Sequence, residues 1–276
     1  MSDPRFHHNS CCRKVLVDFS YIGTGFHPNT VEGHLFAAFA KAHIAANVLN
    51  NGYERCGRTD TGVHALHNYC SFFMDPCFPE DPSATTAPDS NERRVCYRIN
   101  TFVKAVNKHL PRSIRVNSVQ RVADDFSSRH NCVRRTYKYF FQLGAMNLPL
   151  MQEASQHFVG SHNFRQFCKQ DNRNPKDPNR TIYSFTVERY SDLLCVATVR
   201  CMVGALFLVG EGSISASKIA ELLQRPDEPK FQYKMASPHG LILVDCNFDM
   251  PTVPRPELLD DAIQTLGPMS LLAKCE

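Results

Sequence analysis

No stretch of the 276 residues approaches about 18 consecutive apolar positions, and the opening Met-Ser-Asp-Pro-Arg-Phe-His-His lacks the apolar run of a signal peptide. The expectation is a chain that is neither secreted nor membrane-spanning and works inside the cell, in nucleus, cytoplasm or an organelle. No Cys-x-x-Cys pair occurs among the twelve cysteines, of which only Cys11 and Cys12 are adjacent. Such scatter argues against a zinc ribbon and against a disulfide framework, and for reduced thiols. His64 and His67 could form half a metal site, but no Cys or His pair stands at ligand spacing nearby, so no metal is expected. Gly-x-Gly-x-x-Gly and the phosphate loop are also missing. Nothing in the sequence therefore calls for a nicotinamide, flavin or ATP cofactor.

What is present is an ordinary folded composition, 43% hydrophobic and 21% charged, enough to bury the core of one large domain or two closely packed ones. The net charge of +4 conceals an uneven distribution. Between Arg98 and Arg180 there are fifteen Lys or Arg against five Asp or Glu, an excess of +10, so the remainder carries −6. A basic region of that density can be a solvated face, but it suits an anionic partner, and phosphate is the obvious one.

Periodicity divides the chain into an N-terminal tail (1–13), a first lobe (14–92), a longer basic lobe (93–250) and a C-terminal tail (251–276). Residues 14–21 alternate as a half-buried strand, and a helix capped by Asn29 or Thr30 runs to about residue 47, with Val31, Leu35, Phe39 and Ala42 on one stripe. Residues 68–74 read as a strand, and 75–92, rich in Pro, Ser, Asp and Thr, as a linker. Ile99, Phe102, Val103, Val106 and Leu110 mark a helix that Pro111 ends. Strands are expected at 114–122, 135–143, 181–189, 193–198 and 241–248, and short helices at 151–159, 162–168, 199–209 and 215–224, with a further possible helix at 257–266. The class is α+β, as two lobes that are not independent domains. No internal repeat is visible.

The segment most able to carry chemistry is Gly57-Arg58-Thr59-Asp60-Thr61-Gly62-Val63-His64-Ala65. Two glycines bracket the charged pair, so the backbone can turn tightly and present Asp60 at the mouth of a cleft. An ordinary polar turn would have the same composition. Asp60-Thr61-Gly62 also has the form of an aspartic protease motif, but no second Asp-Thr-Gly exists and Arg58 would hold the carboxylate ionised instead of letting it share a proton.

The nine residues from Gly57 to Ala65 closely resemble the signature of the TruA-type tRNA pseudouridine synthases. Further segments are similar to that family in the same order: Arg134-Arg135-Thr136-Tyr137-Lys138-Tyr139, Gly160-Ser161-His162-Asn163-Phe164, Arg180-Thr181-Ile182, Val199-Arg200-Cys201-Met202-Val203-Gly204 and Pro238-His239-Gly240-Leu241-Ile242-Leu243. The resemblance spans residues 14–248. It implies the pseudouridine synthase fold, two sheet-based lobes with helices on their outer faces and a central active-site cleft, usually in a homodimer. Cys56-Gly57-Arg58, Phe164-Arg165-Gln166-Phe167-Cys168-Lys169 and Leu243-Val244-Asp245-Cys246-Asn247-Phe248 most resemble the eukaryotic subgroup that acts on the 3′ side of the anticodon stem-loop, at positions 38 and 39 of tRNA.

By that resemblance Asp60 is the catalytic carboxylate, and no cofactor is needed because the reaction involves no redox change. A carboxylate beside an apolar base drifts towards its neutral form unless a cation opposes the shift. The resemblance assigns that ion pair to Arg200, and assigns Arg58, with Thr59 beside it, to the RNA, where Arg58 fills the space left by the displaced base. Tyr137 is the platform for the flipped base and a candidate for removing the ring-carbon proton, while Tyr139, one period further on, suits the core. Leu241 packs against the uracil, and Arg134, Arg135, Lys138, Arg165, Lys169 and Arg173 track tRNA phosphates. The rival reading is a catalytically inactive tRNA-binding or chaperoning protein that keeps the basic cleft.

Two departures from the family stand out. Its usual Gly and Gln after the first strand are absent, since Phe26-His27-Pro28 runs into Asn29-Thr30, and Thr198 abuts Val199 where a Gly-x-x-Phe-Leu-x-x-Gln segment is normal. A strand pattern that enters a helix pattern without Gly, Pro, Asn or Asp has no residues to turn with, so residues are expected to be missing there. A Thr198–Val199 peptide bond of about 1.33 Å would overturn that expectation.

Overall fold

A computed structural model describes residues 13–26, 29–75, 101–168, 177–191, 194–197 and 200–249. Outside them lie the linker at 76–92, the junction at Thr198 and Val199, His27 and Pro28, Lys169, Arg173, the possible helix at 257–266, and the boundaries expected at 92 and 250. In chain order the regular elements are β1 (Arg13–Tyr21), α1 (Val31–Lys41), β2 (Glu54–Arg55), β3 (His64–Met74), α2 (101–107), β4 (Ile114–Arg121), β5 (Cys132–Gln142), α3 (Leu148–Gln156), β6 (Gly160–Asn163), β7 (Asn179–Ile182), β8 (Val187–Arg189), β9 (Leu194–Ala197), α4 (Arg200–Gly210), α5 (Ala216–Gln224) and β10 (Leu241–Phe248). The class is α+β, as the sequence indicated. The described residues fall into two compact units, 13–136 with 243–249, and 137–242.

In the first unit the strand order is β4-β1-β3-β10, with β2 also paired to β3. β1 is antiparallel to both neighbours, Val17 standing opposite Cys70 on β3 and Val119 on β4. All eleven residues of β3 are buried. Both faces of this strand are covered, so its polar residues His64, His67, Asn68 and Ser71 are buried along with its apolar and aromatic ones. On one face Phe39 of α1, Phe72 of β3 and Phe102 of α2 meet, Phe39 lying 4.9 Å from Phe72 and 6.0 Å from Phe102 between ring centroids.

The expected half-buried β1 is a correction. Lys14 and Asp18 are both buried, because the second face of the sheet is covered as well and holds a polar network. Asp18 Oδ2 lies 2.8 Å from His67 Nδ1, Asn117 donates to Asp18 Oδ1 at 3.2 Å, and the Lys14 ammonium reaches the Asp124 carbonyl at 3.3 Å and sits 5.2 Å over the Phe73 ring. Burial of these polar groups is tolerable because each is hydrogen-bonded.

α1 begins where its cap predicts: the Thr30 hydroxyl accepts from the Gly33 N–H at 3.1 Å. It stops at Lys41, six residues short of expectation. His43 takes φ +53°, the His43 N–H donates to the Ala40 carbonyl at 3.0 Å, and the Ile44 N–H donates to the Phe39 carbonyl at 2.9 Å. Those two bonds are a Schellman stop, which hydrophobic spacing does not reveal.

The second unit contains the later part of β5, paired antiparallel to β9, which pairs with β8, and a separate β6-β7 ribbon. Its core is aromatic, with Phe158 within 5.0 Å of Phe167 and 5.5 Å of Phe185, and Met151, Leu206 and Ile219 of α3, α4 and α5 fully buried. Two expectations fail here. The helix at 162–168 is instead strand β6 followed by a short 3-10 turn, Arg165–Phe167, because backbone bonds go across to β7, with His162 opposite Arg180. The strand at 181–189 is two strands, since the Phe185 carbonyl accepts from Ser155 Oγ at 3.2 Å and Gln156 Nε2 at 3.1 Å, which ties the middle of that run to α3.

Candidate active site

The Gly57–Ala65 segment leaves β2 as an irregular loop and enters β3 through a tight turn. The Val63 N–H donates to the Asp60 carbonyl at 3.1 Å, and Gly62, the third residue of that four-residue turn, has φ +87°. A type II turn requires that left-handed value, and glycine is the residue that adopts it without strain. The turn is docked on Gly23, where an added Cβ would stand 1.9 Å from the Val63 carbonyl oxygen. The Gly62 N–H donates to the Gly23 carbonyl at 3.3 Å, and the Gly23 N–H donates to His64 Nδ1 at 3.2 Å. His64 is thereby an orienting group of the turn, with Nε2 carrying the proton of its neutral ring.

Side chains hold the other half of the loop. The hydroxyls of Tyr21 and Thr59 are 2.7 Å apart, and the Asn68 amide donates to the Tyr21 oxygen at 3.2 Å and to the Gly57 carbonyl at 3.3 Å. With Asn68 donating into that oxygen, the Tyr21 proton is available to Thr59. Burial pushes the Tyr21 phenol up from its ordinary value, opposed in part by its bonds with Thr59 and Asn68. From β5, Arg135 Nη2 donates to the Cys56 carbonyl at 2.6 Å, one residue before the loop begins.

The loop borders an open cavity of about 260 Å³ within the first unit, where Arg58, Thr59 and Asp60 are joined by Tyr21, Phe26 and Asn68. Arg58 and Asp60 are exposed and Thr59 half-buried. A further carboxylate of the wall, Glu32, pairs with Arg55 at 3.0 Å and accepts from the Tyr53 hydroxyl at 2.6 Å. Its charge is thus balanced locally and does not oppose an anionic ligand.

Comparison with known proteins gives this geometry a setting. A family model described as tRNA pseudouridine synthase matches residues 154–249. The chain is 33% identical over 268 residues to the tRNA pseudouridine(38/39) synthase of Bos taurus, covering 86% of this chain and 56% of that protein, and 31% identical to the protein of the same name from Saccharomyces cerevisiae, covering 87% and 58%. Against the tRNA pseudouridine synthase A of Methanoculleus marisnigri it is 31% identical over 255 residues, 86% of this chain and 84% of that protein. The chain belongs to the tRNA pseudouridine synthase family. It spans a little over half the length of the bovine and yeast relatives.

The segments that resemble this family occupy defined places. Arg134 and Arg135 are exposed on β5 in the first unit; Tyr137 and Lys138, half-buried, continue the same strand in the second. Tyr139 is 2% exposed and lies 6.2 Å from Phe207, the core position expected of it. Leu241 opens β10 and is buried, and Arg200 is the first residue of α4. Arg165, exposed in the 3-10 turn, pairs with Asp227 at 3.1 Å. Its neighbour Gln166, 1% exposed, donates to the Glu228 carbonyl at 2.9 Å and accepts from the Phe231 N–H at 2.8 Å, so it fastens this turn to the segment after α5.

Sequence reasoning missed Tyr21 and Asn68, which stand on β1 and β3 with nothing in their local spacing to set them apart. It also missed a thiol cluster in the first unit. Cys56, Cys132 and Cys246 bring their three sulfurs within 4.8 Å of one another.

Proposed function

We propose that the chain isomerises uridine to pseudouridine in tRNA, at positions 38 and 39 of the anticodon stem-loop, the positions that the names of its bovine and yeast relatives carry. The observation that carries the reading is the placement of Asp60. It lies on a loop pinned by Tyr21, Asn68 and Gly23, beside Arg58 and Thr59 at an open cavity.

The reaction breaks the bond between ribose C1′ and uracil N1, turns the base, and joins C1′ to C5; the C5 proton is lost and N1 regains one. Atoms and electrons balance without an external reagent. The groups required are a carboxylate that stays charged beside the base, a cation to keep it so, and an aromatic face to hold the flipped uracil. In this reading Asp60 attacks the sugar or assists elimination, Arg200 is its counter-ion, Tyr137 stacks on the base and relays the C5 proton, and Leu241 packs on the other side. Arg58 enters the space the base leaves. Arg134, Arg135, Lys138, Arg165 and Lys169 follow the phosphates, and two copies of the chain act as a homodimer.

The test is to incubate transcribed tRNA with the wild-type chain and with Asp60→Ala, mapping pseudouridine by chemical modification and primer extension. Product at 38 or 39 from wild type and none from the variant, with tRNA retained by both, is the expected result. Equal product from both overturns the role of Asp60, whereas tRNA retention without product from wild type supports the inactive binding protein.

A further inference from the structure

We propose that Cys56, Cys132 and Cys246 form a binding site for one thiophilic transition-metal ion, zinc(II) first among them. The three residues are the one that follows β2, the first of β5 and the sixth of β10, all within the first unit. Cys56 and Cys246 are buried and Cys132 is half-buried. Their sulfurs lie within 4.8 Å of one another. Three thiolates around zinc at about 2.3 Å in tetrahedral geometry stand about 3.8 Å apart, so each sulfur needs to move by about 1 Å or less to close on an ion. A water completes the fourth position, as it does in three-ligand zinc sites.

Charge supports the assignment. Three thiolates on a dication leave one negative charge, and the Arg135 guanidinium is the cation beside it, donating to the Cys56 carbonyl at 2.6 Å. The backbone already fixes two of the ligands: the Cys56 N–H donates to the Tyr69 carbonyl at 2.8 Å, and the Cys246 N–H donates to Asp245 Oδ1 at 2.8 Å. Soft thiolates select zinc or copper(I) over magnesium or calcium. A disulfide would use only two of the three sulfurs. An ion uses all three, and it would join the residue immediately before Gly57 to β5 and β10.

The site is distinct from the cavity at Asp60, and it stands whether or not the proposed isomerisation is correct. The experiment is elemental analysis of the full chain purified without chelator, followed by cobalt(II) titration of chelator-stripped protein. About one zinc per chain is expected, together with a sulfur-to-cobalt charge-transfer band in the near ultraviolet that saturates at one equivalent. Cys132→Ser and Cys246→Ser should each lower bound metal at least tenfold, while Cys195→Ser, a buried thiol of the second unit, should leave it unchanged. Cys132 is half-buried, so its variant decides the matter if Cys246→Ser fails to fold by circular dichroism. No metal and no cobalt band in the wild type, or a band that survives in Cys132→Ser, overturns the proposal. So does a mass-mapped disulfide between any two of the three.

Discussion

The hydroxyl of Tyr21 lies 2.7 Å from that of Thr59, one residue before Asp60. A β1 side chain thereby fixes the backbone that carries the proposed carboxylate. Tyr21→Phe keeps the ring and removes the bond. A net hydrogen bond of this kind contributes about 1 kcal/mol, so thermal stability should fall modestly and turnover on tRNA about fivefold with affinity little changed. Parallel melting and single-turnover assays would check it, and a variant with wild-type turnover would show that Thr59 needs no such anchor.

Gly62→Ala and Gly23→Ala should rank in a fixed order. Alanine at Gly62 must accept φ +87°, which costs about 1–2 kcal/mol. Alanine at Gly23 meets the Val63 carbonyl oxygen at 1.9 Å, and main chain on both sides must shift. Urea midpoints should show the larger loss at Gly23, and the reverse order would contradict the docking of the turn on that residue.

Alkaline stability should depend on two phenols. Burial raises the titration of both Tyr21 and Tyr53. Up to about pH 10 folded and unfolded chains hold the same phenolic protons. Above it the unfolded chain releases them and the folded chain does not, so the unfolded state binds fewer protons and stability falls as pH rises. Tyr53→Phe should be less stable at neutral pH, having lost its bond to Glu32, yet show a flatter decline above pH 10 in denaturant titrations.

Arg134 is exposed on β5 and is proposed to meet phosphate. Arg134→Ala should weaken binding to all tRNAs alike and reduce the slope of log Kd against log salt by about 1. An unchanged slope in filter binding across a salt series would remove Arg134 from the interface.

Local pattern and long-range contact explain which features were readable from the chain. β10 falls at 241–248 and α5 within a residue of its expected start, since each has a strong period and a clear stop. The segment 162–168 contains the same residue types as a short helix but is claimed by β7, and His43 ends α1 in a conformation hydrophobic spacing cannot signal. In the candidate site Asp60 and Arg58 were legible because their motif is contiguous. Tyr21, Asn68 and the three cysteines meet only once strands far apart in sequence are paired, so no spacing rule could join them.

Part of the cavity wall is bare main chain, where Gly23 and Val63 touch. A surface built from peptide groups presents the same shape and the same donors and acceptors whatever side chains surround it. Substitutions around the cavity can therefore reshape its rim at side chains such as Phe26 and Thr30, while the peptide wall itself keeps its form.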